Sequence, residues 1–495
     1  MHRSRSPRAL SLAFSALLLT SIACRTLLGA PEAERDLELN LRPTPQATQT
    51  RPIITSERLD GLQLLPDLII DPPTLSPSDH DRPRLSGTMY VLDTENFRIH
   101  YTWDGEDGVP SAESTGSGHP DYVIEVARAM EYSWFASIDH FGWAAPPPDF
   151  GLGGDDRYDV YLMNIMDEDY AGYTDSDYDN PVIGDNPNSP LIEQTSTHTH
   201  IVLDNDYLED YDYEEDGSYP EDALNYMRST AAHEFHHAIQ FGYDGEEPHD
   251  WVWEATSTWI EEELFDSVND PIFSLDSVMK SPDSCQLAEG GEQHDDDLDR
   301  WYGMWIFMRH LSEQYGHDIV LRLWEHIIDL DGYDAWDALL AEYDTTFEDV
   351  FLDYSVALLT RNFEEGLRYP TVAMEGSAVL DDWFTPTDGV HQLGADYVEL
   401  PFQQAITVTL NTEGMLGAVV GIAEGESFVY PMWNGEVSLD SSGHERTYVI
   451  VMNLERAVNA RNCLSSDYQL YVAAGGSAQQ PEWSMAAPNF QPPRP

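Results

Sequence analysis

The chain has 495 residues and carries 90 acidic against 24 basic side chains, a formal charge of −66. That balance excludes binding nucleic acid through a basic surface, since phosphate affinity rests on lysine and arginine. With 41% hydrophobic and 11% aromatic residues the chain is too apolar for disorder, and three cysteines cannot staple a chain this long.

Arg3, Arg5 and Arg8 precede an apolar run over residues 9–19, the plan of a secretory signal and too short for a membrane span. The run ends in Ser21-Ile22-Ala23-Cys24. A cysteine there resembles the lipobox of bacterial lipoproteins, with Ser21 in place of the usual leucine. Residues 1–24 therefore read as a signal peptide. Cys24 is either lipidated, which would attach the protein to a membrane surface, or discarded with the leader. Export to the cell surface, periplasm or medium is expected in both cases. Residues 25–60 are polar and include Arg42-Pro43-Thr44-Pro45-Gln46, the composition of a flexible tether.

Alternation over residues 88–91 and 97–101 predicts strands. Val123, Val126, Ala127, Met130, Trp134 and Ile138 recur at helical spacing across 121–141. Residues 158–162 and 200–203 read as further strands. A helical block follows from about 220 to 363, with segments at 300–315, 318–330, 333–343 and 346–363. After residue 370 the pattern becomes short strand-like runs, at 397–400, 405–410, 417–422, 428–430, 448–452 and 468–472. This predicts an all-β sandwich over 371–476, in which Tyr430 and Trp433 are candidate ligand contacts with core packing the favoured role for either, followed by a disordered tail over 477–495.

The chemistry concentrates at His233-Glu234-Phe235-His236-His237. Two histidines at i and i+4 on a helix can bind one metal, and the intervening glutamate can take a proton from a water at that metal. Ser218 and Glu221 have capping-box spacing ahead of this helix. A catalytic zinc needs a third protein ligand, and Gln240 and Tyr243 occupy the places of the Gly and His in the third-histidine version of the motif. Glu254, in Trp251-Val252-Trp253-Glu254-Ala255 on a second helix over 249–264, is the better candidate. The bland alternative makes Glu254 a solvated helix glutamate among Glu261–Glu263, and replacing Glu261 or Glu262 is expected to leave a bound metal.

At these residues the chain resembles the gluzincin peptidases, whose third ligand is a glutamate on the next helix. The sixteen residues between His237 and Glu254 are slightly fewer than in thermolysin and aminopeptidases. His-Glu-Phe-x-His and Trp-x-Glu-Ala look most like the hyicolysin-like peptidases, and closer still to a group of secreted bacterial metalloprotease-like proteins. The resemblance covers residues 88–365 and is sharp from Thr230 to Glu262. It implies an α+β fold: a zincin-like catalytic domain over 61–370, with a mixed sheet and active-site helices, before the β-sandwich. It also implies Zn2+ on His233, His237 and Glu254, Glu234 as general base, and a peptide or protein substrate. Tyr302 stands where some gluzincins place an oxyanion-stabilising tyrosine, with His294 and His310 as competitors. His236, off the metal-facing edge, is expected to pack or to support a ligand.

Asp175, Asp177 and Asp179, then Asp204, Asp206, Asp210 and Asp212, then residues 295–297 with Asp299 form acidic runs that are either solvated or sites for Ca2+. Cys285 and Cys463 either pair or remain free thiols. The rival reading is a non-catalytic acidic surface lipoprotein for adhesion or cation binding, and a third is a zinc hydrolase acting on a non-peptide amide.

Overall fold

In the computed structural model the first two alternating runs form an antiparallel hairpin, β1 (Met89–Asp93) and β2 (Phe97–Thr102). The structure describes residues 82–166, 170–176, 182–208, 213, 219–285, 298–456 and 464–487. The expected signal peptide with Cys24 and the tether lie outside them. Among the described residues no helix is long and apolar enough to cross a membrane. Cys285 is disulfide-bonded, while Cys463 lies outside the described residues.

Helix α1 (Asp121–Trp134) follows and widens into a π-helical segment over Phe135–His140, where the sequence pattern predicts one continuous α-helix. Strands β3 (Tyr158–Met163), β4 (Gly172–Ser176) and β5 (Thr199–Asp204) complete a five-stranded sheet in the order β1-β2-β3-β5-β4. β2, β3 and β5 are parallel, and β4 runs antiparallel to β5 at the edge. One face of the sheet, with Phe97, Ile99, Val160, Ile201 and Leu203, is packed into the main core. The opposite face buries polar groups beside a small apolar cluster of Tyr161, Ile165 and Val202. There His100 Nε2 donates to Asp159 Oδ1 at 2.7 Å, and Arg82 reaches Asp159 at 3.2 Å and Asp149 at 2.6 Å.

The helical block comprises α2 (Glu221–Tyr243), α3 (Asp250–Leu264), α4 (Leu275–Lys280), α5 (Leu298–Gly303), α6 (Trp305–Tyr315), α7 (Asp318–Ile327), α8 (Tyr333–Glu342) and α9 (Phe347–Thr360). Pro220 occupies the N-cap of α2 without a side-chain cap, and Ser218 of the expected capping box lies outside the described residues. The single helix expected over 300–315 breaks at Met304. A Cβ on Gly303 would stand 2.7 Å from the Ser274 carbonyl oxygen, so close packing there requires glycine. Phe235 pins α2 to the sheet, packing edge-on against Phe97 at 5.3 Å and stacking on Trp134 at 5.7 Å. Truncating it to alanine should cost about 3–5 kcal/mol and loosen the helix that carries the metal motif.

The C-terminal part contains β6 (Gly376–Ser377), β7 (Trp383–Phe384), β8 (Ala395–Glu399), β9 (Ala405–Asn411), β10 (Met415–Ala423), β11 (Glu426–Pro431), β12 (Glu436–Asp440), β13 (Arg446–Asn453), β14 (Gln469–Ala474) and β15 (Trp483–Ala486). They form two sheets, β15-β11-β10-β13-β8-β6 and β12-β9-β14-β7. Ile406, Val408, Val419, Val449, Leu470 and Val472 pack together between them. One expectation is corrected here. The tail expected to be disordered from 477 adds β15, which pairs with β11. Tyr430 is buried and hydrogen-bonded to His444, in keeping with the packing role expected of it, whereas Trp433 is exposed.

The other face of the six-stranded sheet does not end in solvent. Tyr397, Ala418, Val420 and Ile450 join the same core as Tyr354 and Val356 of α9, and the Tyr397 hydroxyl donates to the Ser355 carbonyl at 3.0 Å. The whole is α+β with one main core running through both halves.

Candidate metal centre

Helix periodicity places His233 and His237 on one face of α2, and the turn after Asp244 brings α3 across it. Their Nε2 atoms lie 3.0 Å apart, and Glu254 Oε2 is 3.1 Å from His233 Nε2 and 3.6 Å from His237 Nε2. One ligand atom from each of the three residues falls within 4.8 Å of the others, an arrangement that could hold a metal ion. The three expected ligands are thus brought together.

The far side of each imidazole is engaged as well. His233 Nδ1 pairs with Glu261 Oε1 at 2.7 Å, and Glu261 in turn accepts from Ser229 at 2.5 Å. His237 Nδ1 meets Gln240 Oε1 at 2.7 Å and the Ser257 hydroxyl at 3.1 Å. Gln240 is held by donating to the Trp253 carbonyl at 3.0 Å and to Thr256 at 2.5 Å. Such partners fix which ring nitrogen carries the proton and leave the two Nε2 atoms turned toward each other and Glu254.

Glu261, Glu262 and Glu263, beside which Glu254 could have been one more solvated helix glutamate, are themselves all buried. Glu262 and Glu263 face the buried Arg309 of α6. Glu261 lies seven residues beyond Glu254, two helical turns on the same face, and that spacing was the available signal.

Electrostatics follow the geometry. Burial opposes protonation of His233, yet Glu254 and Glu261 outweigh it and raise its pKa well above the usual histidine value. Burial likewise works against an ionised Glu254, but His237 and His233 hold its carboxyl below the ordinary carboxylate range. Glu234 points toward β4. The Thr174 hydroxyl lies 2.8 Å from its carbonyl and 2.9 Å from its Oε2, and burial raises its pKa despite the two histidines. A Cβ on Gly172 would lie 2.9 Å from Glu234 Cγ, so glycine lets the edge strand approach the helix this closely.

Tyr302 comes to the same place. Its ring lies 5.6 Å from that of His233, its hydroxyl is bonded to Glu254, and the charge of Glu254 together with burial raises its pKa far above that of a free phenol. Its competitors are elsewhere: His310 packs with Tyr354 and Phe363, and His294 lies outside the described residues. His236 faces away, edge-on to Trp143 at 4.6 Å, as expected for a packing residue.

Of the acidic runs, Asp175 sits within β4. Asp204 accepts the backbone N–H groups of Ile165, Met166, Asp206 and Tyr207, so its carboxylate organises a loop. Asp177, Asp179, Asp210, Asp212 and residues 295–297 lie outside the described residues. Asp270, at the start of a 3-10 helix after α3, was not anticipated. It lies close enough to Glu261 and His233 for their charges to act on it, and burial pushes it up to about 7. No known family model matches the chain, and no curated protein matches it either.

Proposed function

We propose that the protein is an exported zinc-dependent metallopeptidase, with His233, His237 and Glu254 holding the metal. The observation that carries this reading is the convergence of two Nε2 atoms and one carboxylate oxygen while both Nδ1 atoms are taken by acceptors. Two histidines and a glutamate are the donor set of a catalytic zinc with one position left open. In this reading the sheet and helices up to about residue 370 form a zincin-like unit and the paired sheets after it a β-sandwich.

Bound there, zinc would lower the pKa of a water and polarise the scissile carbonyl. Glu234 would accept the proton of the attacking water and later pass it to the leaving amine. Thr174 fixes one of its carboxylate oxygens and leaves the other to carry that proton. Tyr302, kept protonated by its surroundings, would donate to the oxyanion that develops on the carbonyl. The outer edge of β4 pairs with no strand among the described residues, so an extended peptide can add to it beside Glu234.

Metal analysis and hydrolysis of an unbiased peptide mixture test the proposal together. Wild type is expected to hold about one zinc per chain and to cleave peptides. Glu254→Ala should lose both properties. Full metal occupancy in Glu254→Ala, or no cleavage by the zinc-loaded wild type, would overturn it.

A further inference from the structure

Tyr207, just past β5, is a backbone outlier. Its φ is 52°, in the left-handed region that suits glycine and that a bulky side chain rarely adopts, and the residue is fully buried. Such conformations persist only where the surroundings over-determine them, and they cluster at working sites. Here the surroundings are a built turn. Asp204 Oδ1 accepts the N–H groups of Asp206 at 2.9 Å and Tyr207 at 2.7 Å, and its Oδ2 those of Ile165 and Met166, each at 3.0 Å. The Tyr207 ring packs edge-on against Tyr226 of α2 at 5.4 Å.

This turn aims the phenol at the seam between β4 and the helix of the metal motif. The Tyr207 hydroxyl donates to the carbonyl of Ala171, the residue before β4, at 2.7 Å, and it meets the Thr230 side chain of α2. Thr230 lies one turn before Glu234. Gly172 closes the same seam: a Cβ there would stand 2.7 Å from Thr230 Cγ2 and 2.9 Å from Glu234 Cγ. Two residues on, the Thr174 hydroxyl is bonded to Glu234. Among the described residues β4 pairs on one side only, with β5, which leaves its open edge without a second strand to steady it. The Tyr207 hydroxyl pins the end at which this strand begins.

We infer that Tyr207 is a positioning residue: its strained turn sets where β4 lies against α2, and so holds in place the edge along which an extended peptide pairs beside Glu234. Being buried, it touches no substrate itself and acts through Ala171 and the strand that follows. The inference rests on the peptidase reading above.

The test uses the zinc-loaded full chain and its Tyr207→Phe variant, which keeps the ring and the backbone and removes only the hydroxyl. The Ala171 carbonyl also accepts the Asp204 N–H at 3.2 Å, so it is not orphaned and the variant should fold. A quenched-fluorescent octapeptide, long enough to pair along the five residues of β4, reads the edge. Acetohydroxamate, which can bind the metal without reaching the strand, reads the centre alone. KM for the octapeptide should rise about 2–10-fold, the worth of one hydrogen bond, with zinc content and the inhibition constant of acetohydroxamate unchanged. Calorimetric affinity for the octapeptide should weaken by the same factor when Tyr207→Phe is added to Glu234→Gln, without turnover. A merely structural role would lower the unfolding midpoint and leave KM where it is. An unchanged KM, or a KM and an acetohydroxamate constant that rise together, would overturn the inference and leave the peptidase reading standing. No cleavage by the wild type would remove both.

Discussion

Two buried groups of histidine and carboxylate side chains, one on α2 and α3 and one on the sheet face turned away from them, share a composition and differ in purpose. In the first, His233 and His237 turn their Nε2 atoms on each other at 3.0 Å beside Glu254. Two imidazole nitrogens at that distance next to a carboxylate could hold a metal ion between them. In the second, His100 stacks on Tyr161 at 4.2 Å and pairs with Asp159, and the cation is already built in: Arg82 lies between Asp159 and Asp149. Burial holds His100 down at about 3, so it stays neutral. One group is organised to receive a charge and the other has spent its carboxylates on an internal one. Residue content does not separate a site from a scaffold; where the lone pairs point does.

That distinction can be broken first at Glu234. Glu234→Gln keeps the proposed ligand set and removes only the proposed base, so zinc content should be unchanged while turnover falls about 10²–10⁴-fold. Retained turnover would mean that the glutamate of the first group plays no chemical part.

The mirror experiment is Arg82→Met. It leaves Asp149 and Asp159 buried without their cation, and breaking a buried pair this way costs about 3–5 kcal/mol. Denaturant unfolding should register the loss while metal content stays at the wild-type level. A variant that instead loses zinc would show that the two groups are coupled across the sheet.

Next in size is Glu261→Gln, which keeps the shape of the support behind His233 and removes its charge. Zinc affinity should fall about 10–100-fold, the usual effect of losing a ligand's outer partner. Competition with a chelator would measure it. An unchanged affinity would place Glu261 with the scaffold.

Much of this was legible in the sequence, and the gaps have physical causes. His233, Glu234 and His237 follow from helix geometry, and Glu254 from the need for a third ligand one helix later. Tyr302 was named because of the resemblance, and nothing in its own neighbourhood along the chain distinguishes it from other tyrosines. Strand β4, which holds Glu234 through Thr174, gives no signal because Gly172-Tyr173-Thr174-Asp175-Ser176 lacks apolar alternation. It is an edge strand pairing on one side only, and its form comes from β5 and from the fit of Gly172 against α2. The sharing of one core by α9 and the six-stranded sheet was also invisible. Val420 and Ile450 read equally well as the inside of a separate β domain, and only three-dimensional packing assigns them to the neighbour. Truncation near residue 370 is accordingly expected to expose apolar surface on α9.

The last test separates the two groups by pH. Burial, outweighing Arg82, pushes Asp149 up to about 8 and Asp159 up to about 7, against about 3.9 in an unfolded chain. Between those values the folded protein binds more protons than the unfolded one. The stabilisation is therefore complete below the unfolded value, declines as pH rises, and is gone above the folded one. Unfolding midpoints should fall between pH 5 and 9, by at most about 1.4 kcal/mol per pH unit for each proton involved. Asp149→Asn, which cannot ionise, should flatten that slope. The metal centre pulls the other way around Glu254, whose depressed pKa favours the folded state above the ordinary carboxylate range. Its contribution is lost only in strong acid, outside this window. A slope that survives Asp149→Asn would place the titrating group elsewhere and leave the Arg82 cluster fully ionised, as a permanent internal salt bridge.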